Sequence, residues 1–154
     1  MTGEHGTGMS GATVSGASVS GASVSGARVS GIGIDAVDVA RFRAVLERRP
    51  AILGRVFTAG ERDDTAGGAD PAPRLAARFA AKEAVFKALG VGLGGAGFHD
   101  VEVVRTESGA PRLSLHGRAA ALAAAQGVAR WHVSLTHTAT VAVASVVAEA
   151  GPRP

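Results

Sequence analysis

Asp35 and Glu83 are the two residues of this chain with the strongest claim to chemistry. Asp35 follows Val29-Ser-Gly-Ile-Gly-Ile34, whose last residues are apolar or glycine. It reads as closing a buried strand and projecting a carboxylate from the end of a sheet. Glu83 lies in Arg78-Phe-Ala-Ala-Lys-Glu-Ala-Val-Phe-Lys87. Wound at about 100° per residue, Leu75, Phe79 and Phe86 form the apolar stripe of a helix, and Glu83 and Lys87 fall just beside it, at the border of the core. Two such carboxylates are what Mg²⁺ uses when water and substrate phosphates complete its octahedron. Arg78, Lys87 and His137 would then donate to phosphate. A plainer reading makes Asp35 a helix-capping acid and Glu83 with Lys87 an i,i+4 surface pair worth roughly 0.2–0.5 kcal/mol. Against it stands the lysine distribution. Lys82 and Lys87 are the only lysines beside fourteen arginines, and both lie in this helix around the same glutamate.

Two further motifs carry less. Gly90-Val-Gly-Leu-Gly-Gly-Ala-Gly97 contains a formal G-x-G-x-x-G match at Gly92, Gly94 and Gly97. It follows a helix, whereas a dinucleotide fingerprint must follow a strand and open a helix, so a Rossmann site is excluded. What remains is a helix stop, or a loop whose N–H groups approach a ligand closely. His137 sits in Ser134-Leu-Thr-His-Thr138, read as a short turn between two strands, and His132 points to the other face of its strand, so the two cannot chelate one metal. His5, His99 and His116 have no comparable context.

The elements that must position these groups follow from pattern. The chain has 154 residues, one domain's worth, of which 46% are hydrophobic and only 4% aromatic, so its core is built from small side chains. The absence of cysteine excludes a disulfide scaffold, a zinc finger, a thiol nucleophile and an iron–sulfur cluster. A formal charge of +3 is small, and the arginines form no basic stripe with interleaved aromatics, so nucleic acid is not the expected partner. No apolar run is long enough for a membrane span and the N-terminus lacks a signal pattern, so the expectation is a soluble, cytoplasmic protein.

Residues 1–28 contain a five-residue repeat, Ser-Gly-Ala-x-Val, from Ser10 to Val29. A period of five gives neither strand nor helix an apolar face, and the segment is read as a flexible extension outside the fold. The folded domain is expected over 29–149, with a tail over 150–154. A first strand ends at Asp35, and Asp38 caps a helix that Pro50 stops. Thr58-Ala-Gly-Glu61 is a capping-box pattern opening a short helix. Asp63 to Pro73 reads as a loop, and Arg74 to Leu89 as the clearest helix, ended by Gly90. Val101 to Arg105 and Arg112 to His116 alternate as a hairpin. A helix over Arg118 to Gln126 and strands over Trp131 to Leu135 and Val141 to Val147 complete the order β-α-α-α-β-β-α-β-β. The class is α+β, with a largely antiparallel sheet packed on helices.

With these motifs in place, the chain resembles the small AcpS-type 4′-phosphopantetheinyl transferases, the holo-acyl-carrier-protein synthases. The residues that carry the resemblance are Gly31 to Arg41, Phe57 to Glu61, Arg78 to Gly90, Ser108 to Leu113 and Trp131 to His137, in the family's order and together spanning about Val29 to Ala148. The resemblance implies the fold of that family, a homotrimer with active sites at the subunit interfaces, and transfer of 4′-phosphopantetheine from coenzyme A to a serine of an apo-acyl carrier protein of fatty-acid or polyketide synthesis, with Mg²⁺. It implies that Asp35 and Glu83 hold the metal, that Arg78, Lys87, Gly90 and His137 join Asp35 in binding coenzyme A, and that Arg41 meets the acidic carrier protein. Glu83, Lys87 and His137 would be catalytic, with the serine proton passing to a metal-bound water, to Glu83 or to His137. The alternative is a trimeric module that binds coenzyme A or carrier protein without transfer, which loss of a metal ligand would favour.

Overall fold

Alanine and glycine set how closely the longest helix among the described residues lies on the main sheet. The computed structural model describes residues 26–92 and 94–152. Strand β1 (Arg28–Asp38) leads into α1 (Val39–Arg48), α2 (Ala51–Val56), α3 (Ala59–Thr65) and α4 (Ala72–Leu89). A 3-10 turn over Phe98–Asp100 precedes the hairpin β2 (Val101–Arg105) and β3 (Pro111–Leu115), and then come α5 (Gly117–Ala125), β4 (Val128–His137) and β5 (Val141–Ala150). β5 lies between β1 and β4 in one antiparallel sheet, and β2 and β3 form a second, also antiparallel. The expected α+β class with antiparallel sheets on helices is what is found.

Helix α4 packs on β1, β5 and β4 on one side and meets β2 and α3 on others. Thirteen of its eighteen residues are buried, so Leu75, Phe79 and Phe86 are only part of an apolar surface that runs nearly all the way round. Ala80, Ala81, Ala84 and Ala88 face Ala144 and Val146 within one core cluster. Small side chains on both layers bring the helix axis close to the sheet, which accounts for a core poor in aromatics. At Gly31 and Gly33 the approach is closest: a methyl at either would overlap the carbonyl oxygens of Ala88 and Ala84. The other face of β1 is bare, with Ile32 and Ile34 exposed by 66% and 61%.

Local capping is as read from the sequence. The Asp38 carboxylate accepts from the Arg41 N–H at 2.7 Å, Thr58 and Glu61 make the reciprocal capping box of α3, and Gly90 ends α4 with φ +69°. Four expectations need correction. β1 does not close at Asp35 but runs on to Asp38, because its ladder with β5 continues to the pair Asp38 and Val141. The segment Asp63 to Pro73 is not one loop, since α3 keeps its first residues and α4 begins at Ala72. Helix α2 was not expected at all. His137 is the last residue of β4, not part of a turn, and both closing strands are longer than predicted.

At the ends, Arg28 already pairs with Ala150, so the folded region begins and ends about a residue outside the expected bounds. The expectation of an extension over 1–28 otherwise falls outside the described residues. Among the described residues no helix is long and apolar enough to cross a membrane.

Candidate active site

Asp35 faces α4 because it shares a strand face with Gly31 and Gly33, the two positions where helix and strand lie closest. The Lys87 ammonium, one helix turn from Glu83, donates to Asp35 Oδ1 at 2.8 Å and to the Ile34 carbonyl at 2.9 Å. The pairing expected between Glu83 and Lys87 is therefore not the one formed. Glu83 is left with a buried Oε1 that has no hydrogen-bond partner. Its pKa lies above the ordinary carboxylate value because of burial first and the neighbouring Asp35 charge second, with Lys87 opposing both. These three residues are brought together as the sequence predicts.

Asp35 and Glu83 open on a cleft of about 800 Å³. Its floor is apolar, made by Phe42 and Val45 of α1, Ile52 and Val56 of α2, Phe79 of α4 and Phe98, and Asp35, Glu83, Asp38 and Arg41 stand at its polar rim. Two carboxylates, one with an unspent oxygen, form a donor set suited to a hard divalent cation. Among the described residues there is no cluster of three or more potential ligands, so a cation here would take the rest of its shell from water and substrate.

A second cleft, of about 400 Å³, is lined by Arg74, Arg78, Arg105, His137 and Asp64, with Gly109 of the hairpin loop, Pro111 at the start of β3 and Leu135 of β4. The Arg78 guanidinium lies 3.6 Å from Asp64 and is mostly buried, and its Nε has no partner. Burial pushes its pKa down, and Asp64 and Glu61 push it back. Arg74 spends one nitrogen on the carbonyls of Thr65 and Gly67, holding the loop after α3, and its Nε is also buried and free. Guanidinium groups converging with an imidazole make this an anion-binding cleft.

The predicted residues thus fall into two groups on opposite sides of α4. Arg78 and Glu83 are five residues apart, about 140° around the helix. Asp35 and His137 point from the same sheet face toward α4, but from its two outer strands with β5 between them, about 10 Å of sheet. Arg74, Arg105 and Asp64 were missed by the sequence reading, as was the floor residue Phe98. Lys82 does not join Glu83 either: it turns inward to Glu61. Gly90 ends α4 with φ +69°, and a β-carbon there would meet no described atom within 4 Å.

A fold and site of this kind have known counterparts. The family model of the 4′-phosphopantetheinyl transferase superfamily matches residues 31–144, and the chain belongs to that superfamily. Its relatives there include the holo-acyl-carrier-protein synthase of Frankia casuarinae, 56% identical over 117 residues, a match covering 76% of this chain and 94% of that one. The solved holo-acyl-carrier-protein synthase of Neisseria meningitidis superposes with a TM-score of 0.71 at 30% identity, over 79% of this chain and 98% of that one. The Helicobacter pylori enzyme in complex with coenzyme A superposes with a TM-score of 0.67 at 29% identity, over 76% and 98%. Within the superfamily, the chain stands among the holo-acyl-carrier-protein synthases.

Proposed function

We infer that this protein transfers the 4′-phosphopantetheine group of coenzyme A to a serine hydroxyl of an apo-acyl carrier protein, releasing adenosine 3′,5′-bisphosphate. The observation that carries the reading is the unpartnered Glu83 Oε1 beside the Asp35–Lys87 pair, at the head of an apolar cleft rimmed by Arg41. Asp35 and Glu83 would hold Mg²⁺ on the pyrophosphate, and the ion, when bound, supplies charge neutralisation for the in-line displacement. The bond formed joins serine Oγ to the phosphorus of the pantetheine phosphate, and the bond broken frees the nucleotide.

Lys87 sits at the exposed edge of the acidic pair and can swing its ammonium to a phosphate oxygen. Arg78 and His137, with Arg74 and Arg105, bind the phosphates of the nucleotide in the basic cleft. In this reading His137 is a nucleotide-binding residue. Glu83 Oε1, which has no partner among the described residues, would receive the serine proton in this reading. The carrier protein docks over the apolar cleft: an acidic amphipathic helix finds apolar floor at Phe79 and Phe98 and a cation at Arg41.

Three copies complete the site. One chain puts its acidic and basic clefts on opposite sides of α4, so a single nucleotide can use both only if they come from neighbouring copies. The bare sheet face with Ile32, Ile34 and Val141 supplies the apolar surface that a trimer contact needs. The segment before β1 is an appendage to this domain. The test is mass spectrometry of an apo-acyl carrier protein after incubation with coenzyme A and Mg²⁺. Transfer adds about 340 Da to its serine, the mass of the group carried. An unmodified carrier protein would refute the reading.

A further inference from the structure

Helix α4 carries a second lysine whose chemistry the transfer reaction leaves unused. Lys82 is fully buried, and its three N–H bonds are all spent: on Glu61 Oε2 at 2.8 Å, on the Phe98 carbonyl at 2.9 Å and on the Val101 carbonyl. Glu61 is equally buried and equally committed. Its Oε2 also accepts the Thr58 N–H at 3.0 Å, and its Oε1 accepts the Val103 N–H at 2.9 Å. Lys82 therefore has no donor left for a substrate, in contrast to the half-exposed Lys87.

Burying two charges to hold four backbone groups is expensive, and an apolar pair of the same volume is often at least as stable. What the pair provides is location. It pins three pieces of chain to one point: the N-terminus of α3, the middle of α4 and the stretch from Phe98 to Val103. One of these pieces enters the active site. The Phe98 carbonyl is held by Lys82, while its ring packs at 5.7 Å from both Phe79 and Phe86 and forms part of the floor beneath Asp35 and Glu83. Lys82 and Glu83 are adjacent, so the same helix turn that offers the Glu83 carboxylate to the cleft fixes the far wall of that cleft.

We propose that Lys82, fixed by Glu61, is a positioning residue for the carrier-protein side of the reaction: it sets the Phe98 floor of the acceptor cleft relative to Glu83. This rests on the reading that the carrier protein docks over that cleft. The pair reaches the basic cleft only at the Val103 backbone N–H, held by Glu61, while Arg74, Arg78, Arg105 and His137 there make no hydrogen bond to it. Losing the pair therefore alters how the acceptor is held and leaves coenzyme A binding alone.

The test uses the full chain with Glu61 and Lys82 replaced together, Glu61→Gln with Lys82→Met. The double change leaves no unpaired buried charge, whereas Lys82→Met alone would strand Glu61. Three quantities are read: melting temperature, Kd for coenzyme A without carrier protein, and KM for apo-acyl carrier protein. A folded double variant is expected to keep its Kd for coenzyme A within about twofold and to raise KM for the carrier protein about tenfold, as displacement of a binding surface does. Phe98→Ala, which keeps the carbonyl that Lys82 holds, is expected to raise the same KM with the same unchanged Kd.

A folded double variant with the parental KM overturns the proposal, and so does a Kd that rises in step with KM. If the double variant does not fold, Phe98→Ala decides, and an unchanged KM there overturns it. Arg41→Glu separates the two readings. If it raises KM while the double variant does not, the role of Lys82 fails alone; if it too leaves KM unchanged, the docking surface itself is wrong.

Discussion

The clefts on either side of α4 are built from opposite chemistry. One joins two carboxylates and a lysine to an apolar floor of aromatic rings; the other gathers three arginines and a histidine around a single aspartate. The first suits a reacting phosphate and a docking protein, and the second suits a bound anion. In one chain a helix stands between them. The contrast locates chemistry and affinity on different surfaces, so changes on the two sides should fail in different ways.

The largest effect is expected on the acidic side. Asp35→Ala or Glu83→Ala should lower transfer by more than about 100-fold at saturating coenzyme A, because each removes charge neutralisation that the displacement requires. Neither side chain packs in the core, so circular dichroism should be unchanged. Arg78→Ala should instead act mainly on the KM for coenzyme A. A Glu83→Ala enzyme with normal turnover at limiting Mg²⁺ would remove the basis for the distinction.

Next comes a test of whether the two clefts meet between copies. Glu83→Ala and His137→Ala chains are mixed, unfolded and refolded together, and assayed with coenzyme A well below its parental KM, where each alone is expected to be nearly inactive. In random trimers about one interface in four joins an intact acidic cleft to an intact basic one, so activity should return to about a quarter of the parental value. Mixtures no more active than their components would mean that each chain completes its own site.

On the rim of the acidic cleft, Arg41→Glu turns attraction for an acidic helix into repulsion. KM for the carrier protein should rise about tenfold at low salt and less at high salt, with KM for coenzyme A unchanged. An effect independent of ionic strength would count against a charge contact.

How much of this could be read from the chain alone depends on the range of the interaction. The Asp38 cap, the Thr58 and Glu61 capping box and the Gly90 stop were legible because each is settled within four residues. Helix α2 was not, since Ala51-Ile-Leu-Gly-Arg-Val56 is short, holds a glycine and is kept in place by packing on the Phe98 segment, including a 2.9 Å bond from His99 to the Gly54 carbonyl. Asp35 was singled out by residue type and placed wrongly as the end of its strand, because pairing with β5 decides where β1 ends. Of the candidate site, Arg74, Arg105, Asp64 and Phe98 went unseen, while Asp35, Glu83, Lys87, Arg78 and His137 were visible one by one. Their division between two clefts was not, because it depends on α4 crossing between the outer strands. Glu61 and Lys82 were each noticed, yet only the fold brings them into contact.

The smallest effect concerns what the acidic cleft costs the fold. Burial and the Asp35 charge raise the Glu83 pKa in the folded chain, so between the ordinary carboxylate value of 4.5 and that raised value the folded state holds a proton the unfolded chain has released. Stability from this group is therefore fully present below the ordinary value and is lost as pH rises through the folded one. Glu83→Gln removes the titration and keeps the shape. In a chelator, its melting temperature should match the parent near pH 4 and exceed it by about 2 °C at pH 7. Adding Mg²⁺ at pH 7 should then raise the parent and leave the variant where it was, since a cation that binds only the folded carboxylate pair stabilises by mass action. Equal melting temperatures at both pH values, or an equal response to Mg²⁺, would mean that Glu83 is neither strained by its burial nor a holder of the metal.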